Sequence, residues 1–216
     1  MKFDAVLFDC DGVLVDSETI TNSVLRDMLE ERGWTMSLKD CMDLFVGNTV
    51  TDKRAQIEAQ TGLPLTQDWL LSFRERRNQA LVADIQAIAN VHTAVQALHQ
   101  LTQGRIACAS GADRFKIELM LHKVGLLSYF EGRVFSGHEM PRSKPHPDVY
   151  LAAAAHLGAA PQRCAVVEDT LTGLAAGVAA GATVFGYAPH GGGQELLEAG
   201  AHCVFDDMAQ LPALLA

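Results

Sequence analysis

The 216 residues carry a formal net charge of −9, with 49% apolar and 20% charged side chains, the composition of a folded protein with room for one full domain and a modest second one. An acidic surface without a long Lys/Arg cluster repels polyanions, which argues against a nucleic-acid partner. A phosphorylated metabolite stays open, provided that one pocket concentrates a few cations or recruits a divalent metal.

Met1-Lys2-Phe3-Asp4 runs straight into a short apolar stretch with an acid ahead of it. It reads as neither a signal peptide nor a membrane span. Five widely spaced cysteines, Cys10, Cys41, Cys108, Cys164 and Cys203, form no CxxC pair and read as reduced, mostly buried thiols. A cytoplasmic protein is the expectation, and no obligate protein partner is evident. Ala5–Phe8 is a continuous apolar run that stops abruptly at Asp9-Cys10-Asp11-Gly12, as a strand of a buried parallel sheet stops at a loop. Runs of the same kind recur at Arg105–Ser110, Val134–Ser136, Cys164–Val167, Ala182–Phe185 and His202–Phe205. Helical patterns separate most of them, at Arg114–Val124, Pro147–Leu157, Gly173–Ala180 and Gln194–Ala199. That alternation predicts a doubly wound α/β fold with a Rossmann-like parallel sheet. From 17 to 83 the rhythm breaks: helical stretches such as Thr19–Arg32 and Asp52–Thr61 follow without a convincing strand. The expectation is an α/β core domain of residues 1–16 and 84–216 and an inserted helical domain of residues 17–83, set over the carboxyl end of the sheet, where open α/β sheets bind ligands.

Asp9 and Asp11 flank one residue at the end of a buried strand, an arrangement that is costly without a cation beside it. An extended chain puts both on one side, and Gly12 permits a sharp exit; the bland alternative is a solvated Asp-Gly turn. Val166-Val167-Glu168-Asp169 delivers two more acids from another strand to the same edge, and such an oxygen-rich cluster suits Mg²⁺. Its alternative is a cap on the following helix. Ser110 and Gly111 close a strand at a helix start, which fits either a phosphoryl site or an ordinary N-cap. Lys144 stands in a loop stiffened by Pro145 and Pro147, with Arg142, His146 and Lys116 as rival cations.

Taken as a set, Phe8-Asp9-Cys10-Asp11-Gly12-Val13-Leu14-Val15-Asp16-Ser17-Glu18, Ser110, Ser143-Lys144-Pro145 and Glu168-Asp169 resemble in order and spacing the four motifs of the haloacid dehalogenase superfamily. The likeness spans the chain and is greatest to the β-phosphoglucomutase-like branch, whose helical cap follows the first strand. The resemblance implies that Asp9 attacks phosphorus and that Asp11 protonates the leaving oxygen and later activates water. It further implies that Ser110 and Gly111 bind phosphoryl oxygens, that Lys144 offsets charge, and that Asp9, the backbone carbonyl of Asp11 and Asp169 hold Mg²⁺ with Glu168 close by. An acid at Asp11 favours phosphate esters over halides and phosphonates. The branch's mutases use a cap histidine and arginine where this chain has Thr21 and Val50. The expected activity is therefore a Mg²⁺-dependent phosphatase acting on a small phosphorylated metabolite, a sugar phosphate or phosphorylated sugar acid; a phosphosugar mutase and a non-catalytic phospho-ligand sensor are the alternatives. Polar cap candidates for the leaving group are Glu18, Asn22, Asn48, Thr49, Lys53, Arg54, Arg74, Arg76 and Arg77. His92 and His99 read as surface or boundary histidines rather than a metal pair, and Gly191-Gly192-Gly193, without a P-loop lysine, reads as a mobile loop.

Overall fold

The computed structural model describes residues 2–216. The chain begins with β1 (Ala5–Phe8) and a two-residue β2 (Val15–Asp16), then runs through four helices, α1 (Glu18–Glu30), α2 (Leu38–Phe45), α3 (Arg54–Thr61) and α4 (Gln67–Asp84). It returns through β3 (Gln86–Ala87) to α5 (Val91–Leu101), β4 (Ile106–Ser110), α6 (Arg114–Lys123) and β5 (Val134–Ser136). Strand and helix then alternate in α7 (Asp148–His156), β6 (Cys164–Glu168), α8 (Leu171–Ala179), β7 (Thr183–Tyr187), α9 (Gly193–Glu198), β8 (Cys203–Phe205) and α10 (Leu211–Leu214).

Six strands form one parallel sheet in the order β5-β4-β1-β6-β7-β8. The doubly wound α/β class read from the alternation is present, with strand ends displaced by a residue or two, the usual uncertainty of such boundaries. β1 is central, and every residue of β1, β4 and β6 is buried. That burial on both faces is why these strands read as unbroken apolar runs. Chain order reverses at β1: β4 and β5 lie on one side, and β6, β7 and β8 on the other. The crevice beyond the carboxyl end of β1 is thus the topological switch point.

One face of the sheet packs Leu7, Ala107, Ala109 and Val166 against Tyr150, Ala153 and Leu174 of α7 and α8. Burying each large side chain contributes about 1.5–3 kcal/mol. Close approach needs small residues: a Cβ on Gly177 of α8 would stand 2.7 Å from Val184.

By contacts the chain divides into two compact units, one of residues 1–16 with 86–216 and the other of residues 17–85. The second is all helical, with its own core of Leu25, Met28, Leu29, Phe45, Ile57, Leu70 and Phe73. Ser37 and Thr66 cap α2 and α4 by accepting from the Asp40 and Trp69 N–H groups. α3 ends on Gly62 at φ 66°, the left-handed cap that glycine adopts without strain. Among the described residues, no helix is long and apolar enough to cross a membrane, and all five cysteines are free thiols.

Candidate active site

β1 delivers Asp9 to the centre of the crevice. The Asp9 N–H donates to the Val167 carbonyl at 3.0 Å, continuing the pairing of Phe8 with Val167 of β6 and Cys108 of β4. Two strands therefore clamp the residue, and its side chain is 10% exposed. β6 ends one step further on at Glu168 and Asp169. Asp9, Glu168 and Asp169 each offer a carboxylate oxygen within 4.8 Å of the others.

Lys144 is the cation that enters this group. Its Nζ donates to Asp9 Oδ1 at 2.7 Å and to Glu168 Oε1 at 2.6 Å, and it lies 4.7 Å from the centre of the Tyr150 ring. Arg142 instead pairs with Asp148 on an exposed flank at 3.2 Å. Glu168, fully buried, also accepts from the Tyr150 hydroxyl at 2.6 Å and, through Oε2, from the N–H groups of Asp169 and Thr170 and the Thr170 hydroxyl. Helix α8 is capped by Thr170, which accepts from the Gly173 N–H. The cap alternative thus falls to Thr170, while Glu168 anchors Lys144 from behind.

Burial pushes the Asp9 carboxyl up to about 7, with the Glu168 and Asp11 charges adding to the rise and Lys144 opposing it. Burial pulls Lys144 down, yet the Asp9 and Glu168 charges prevail and hold its ammonium well above the usual lysine range. Burial and Glu168 together raise the Tyr150 hydroxyl well above its ordinary value, so it stays a donor.

The site fits a magnesium ion. Three carboxylates lie together with one lysine bonded to two of them, the donors are all oxygen, and a hard divalent cation would offset both the burial and the neighbouring negative charge that raise Asp9. Gly12, at φ 75°, leaves space for the Asp169 carboxylate: a Cβ there would lie 2.0 Å from Asp169 Oδ2. Any other residue would thrust Asp169 away from the loop after β1.

Asp11 sits in that loop, whose backbone is pinned by Gly12 N–H to Val15 O and Leu14 N–H to Cys10 O, both 2.9 Å. Its carboxylate meets Lys116 Nζ at 2.5 Å. Ser110 is buried at the end of β4, paired with Ser136 of β5, and its Oγ accepts from the Ala112 N–H at 3.1 Å. It is not the cap of α6: that is Asp113, which accepts from the Lys116 N–H. Ser143, beside Lys144, lies against the same loop, 3.7 Å from where a Gly111 Cβ would stand.

Asp9, Glu168, Asp169 and Lys144 thus come together, with Asp11, Ser110 and Gly111 on adjoining strand ends. Lys116 and Tyr150 are the members that sequence reasoning did not place: Lys116 was one cation among four, and Tyr150 reads as a core aromatic. The remaining features are bland. His92 bonds to the Val124 carbonyl at 2.7 Å, and His99 packs edge-on to Tyr129. Gly192 is a left-handed turn before α9. Of the cap candidates, Arg54 is tied to Glu58 and Leu65 O, Arg76 to Glu31, and Arg77 to Asn78.

Residues 3–181 match the family described as haloacid dehalogenase-like hydrolase. The chain is 26% identical to the 6-phosphogluconate phosphatase of Escherichia coli K12, over 85% of this chain and 82% of that one. It is 30% identical to a phosphoglycolate phosphatase of Nitrosococcus oceani, over 99% and 96%. Among solved structures, a HAD family hydrolase from Deinococcus radiodurans R1 with bound phosphate and sodium superposes with a TM-score of 0.80 at 36% identity, covering 100% of this chain and 96% of that one.

Proposed function

The chain belongs to the haloacid dehalogenase-like hydrolase family, and from that premise we propose that it is a Mg²⁺-dependent phosphatase that cleaves a small phosphorylated metabolite through an aspartyl-phosphate on Asp9. The observation that carries this reading is the setting of Asp9: a buried carboxylate directly after the central strand, bonded to Lys144 and followed two residues later by a second acid. A site that only binds phosphate gains nothing from two carboxylates pressed towards it; a site that attacks phosphorus needs one as nucleophile and one as proton carrier.

In the first half-reaction an Asp9 oxygen bonds to phosphorus while the ester P–O bond breaks, and Asp11 gives its proton to the departing oxygen. In the second, Asp11 takes a proton from water, the oxygen of that water bonds to phosphorus, and the Asp9–phosphorus bond breaks to release inorganic phosphate. Lys144 offsets repulsion between carboxylate and phosphoryl group. The Ser110 hydroxyl, its oxygen already engaged by the Ala112 N–H, has its proton left to donate to a phosphoryl oxygen, beside the Gly111 N–H. Asp9, the Asp11 carbonyl and Asp169 are the proposed magnesium ligands, with Glu168 behind them. When bound, the ion neutralises charge on the transferring group and on Asp9.

The relatives named for 6-phosphogluconate and phosphoglycolate support a phosphorylated sugar acid or sugar phosphate as the substrate class. Residues 17–83 are the proposed specificity cap. Val50 packs on that unit's own core and offers no cation for a mutase intermediate, which favours hydrolysis.

The test is phosphate release from a panel of sugar phosphates, phosphoglycolate and phosphorylated sugar acids, with Mg²⁺ or chelator, beside Asp9→Asn. Metal-dependent release that the substitution abolishes is expected. A folded protein that releases no phosphate from any ester overturns the phosphatase and leaves the mutase or sensor.

A further inference from the structure

Lys116 stands on the first turn of α6 with its side chain 9% exposed, among Ile117, Met120 and Leu121, which are buried. A helix surface does not require a lysine there, because a buried ammonium must be desolvated and its long side chain ordered. Asp113, the cap of α6, accepts the Lys116 N–H at 2.9 Å and so fixes the turn from which the side chain extends. From there Nζ reaches Asp11 Oδ1, 105 residues away in sequence, at 2.5 Å.

The two proposed catalytic acids are thus served by different lysines from different elements: Asp9 by Lys144, Asp11 by Lys116. The Asp11 backbone is held by the turn after β1, where Gly12 N–H meets Val15 O and Asp11 bridges to Val15. With the backbone fixed, the carboxylate direction depends on side-chain torsions, and a charged partner at hydrogen-bond distance biases them. We propose that Lys116 is a positioning residue that aims the Asp11 carboxylate at the leaving-group oxygen. This rests on the acid/base role of Asp11 proposed above.

The consequence is specific to the leaving group. An alkyl ester expels a strongly basic oxygen and needs a well-placed acid; p-nitrophenyl phosphate expels a stable phenolate and scarcely does. The experiment compares kcat/KM for the best alkyl ester of the panel with that for p-nitrophenyl phosphate in wild type, Lys116→Met, Asp11→Asn and the double variant. The loss on the alkyl ester in Lys116→Met should exceed the loss on the aryl ester by about tenfold or more, part of the range for general acid catalysis. In the double variant, alkyl turnover should fall no further than in Asp11→Asn, since Lys116 acts through Asp11.

Equal losses on the two esters, or a further alkyl loss in the double variant, overturn the proposal while Asp11→Asn still shows its own leaving-group selectivity. Absence of selectivity in Asp11→Asn removes the acid/base reading, and the positioning role with it. If Lys116→Met fails to fold, as judged by circular dichroism, the double variant, which removes both charges, decides against Asp11→Asn alone.

Discussion

Asp9→Asn should abolish turnover and yet make the metal-free protein more stable, increasingly so as pH rises. The reason lies in the carboxyl pushed up to about 7 from an ordinary 3.8 by burial and by the acids around it. A carboxyl whose folded value lies above its unfolded value binds its proton more tightly in the fold. Wild-type stability is therefore lost as pH climbs from about 4 to about 7, and the loss is complete above that. A shift of about three units at 1.36 kcal/mol each puts the full penalty at about 4 kcal/mol. Near pH 5 the penalty is about 1.5 kcal/mol, so the gap between variant and wild type should widen by about 3 kcal/mol on going to pH 8. Asparagine matches the shape of the protonated acid and still offers Lys144 an oxygen, so no cavity offsets the gain. The assay is thermal unfolding of both proteins in chelator across that range. For a chain of this size each kcal/mol moves the midpoint by about 2–4 °C, so the widening should reach about 6–12 °C. A variant that melts below wild type at pH 8, or a gap that does not change with pH, refutes the argument.

Adding Mg²⁺ should raise the wild-type melting midpoint and leave Asp9→Asn nearly unmoved, the gain reaching about 2.7 kcal/mol at a hundredfold excess over the dissociation constant; equal shifts in both proteins would remove Asp9 from the ligand set. Gly173→Ala would set a Cβ 1.8 Å from Glu168 Oε1, forcing the anchor of Lys144 to move. It should lower stability by about 1–3 kcal/mol, as overpacking does, and reduce phosphate release; a wild-type melt with full activity would show that the carboxylate shifts freely.

The parallel sheet was legible because strands such as Cys164–Glu168 are buried on both faces and so spell continuous apolar runs. Asp9 and Asp11 were legible for a related reason: charge placed directly against such a run is conspicuous. The pair β2 and β3 was not, since two residues each carry no period. Lys116 escaped because its meaning comes from a contact across 105 positions, and α6 around it shows no clean apolar stripe. Tyr150 escaped because its ring belongs to the core cluster while its hydroxyl reaches Glu168; an aromatic on an apolar helix face gives no sign of a polar partner. Ser110 fits a phosphoryl site or a helix cap equally by its sequence setting, and only the fold assigns the cap to Asp113, three residues later.

The short pairing of Val15 with Ala87 and Asp16 with Gln86, seconded by the Ile88 N–H on Leu14 O at 3.1 Å, acts as a clasp. It brings together the two points where the chain leaves the sheet unit and re-enters it. To the sheet, everything between is one closed bight, and the entropy of closing such a bight grows only with the logarithm of its length. The helical stretch is thus an exchangeable cassette. It can lengthen, shorten or be redrawn, while the turn at Asp11, four residues from the clasp, keeps its register.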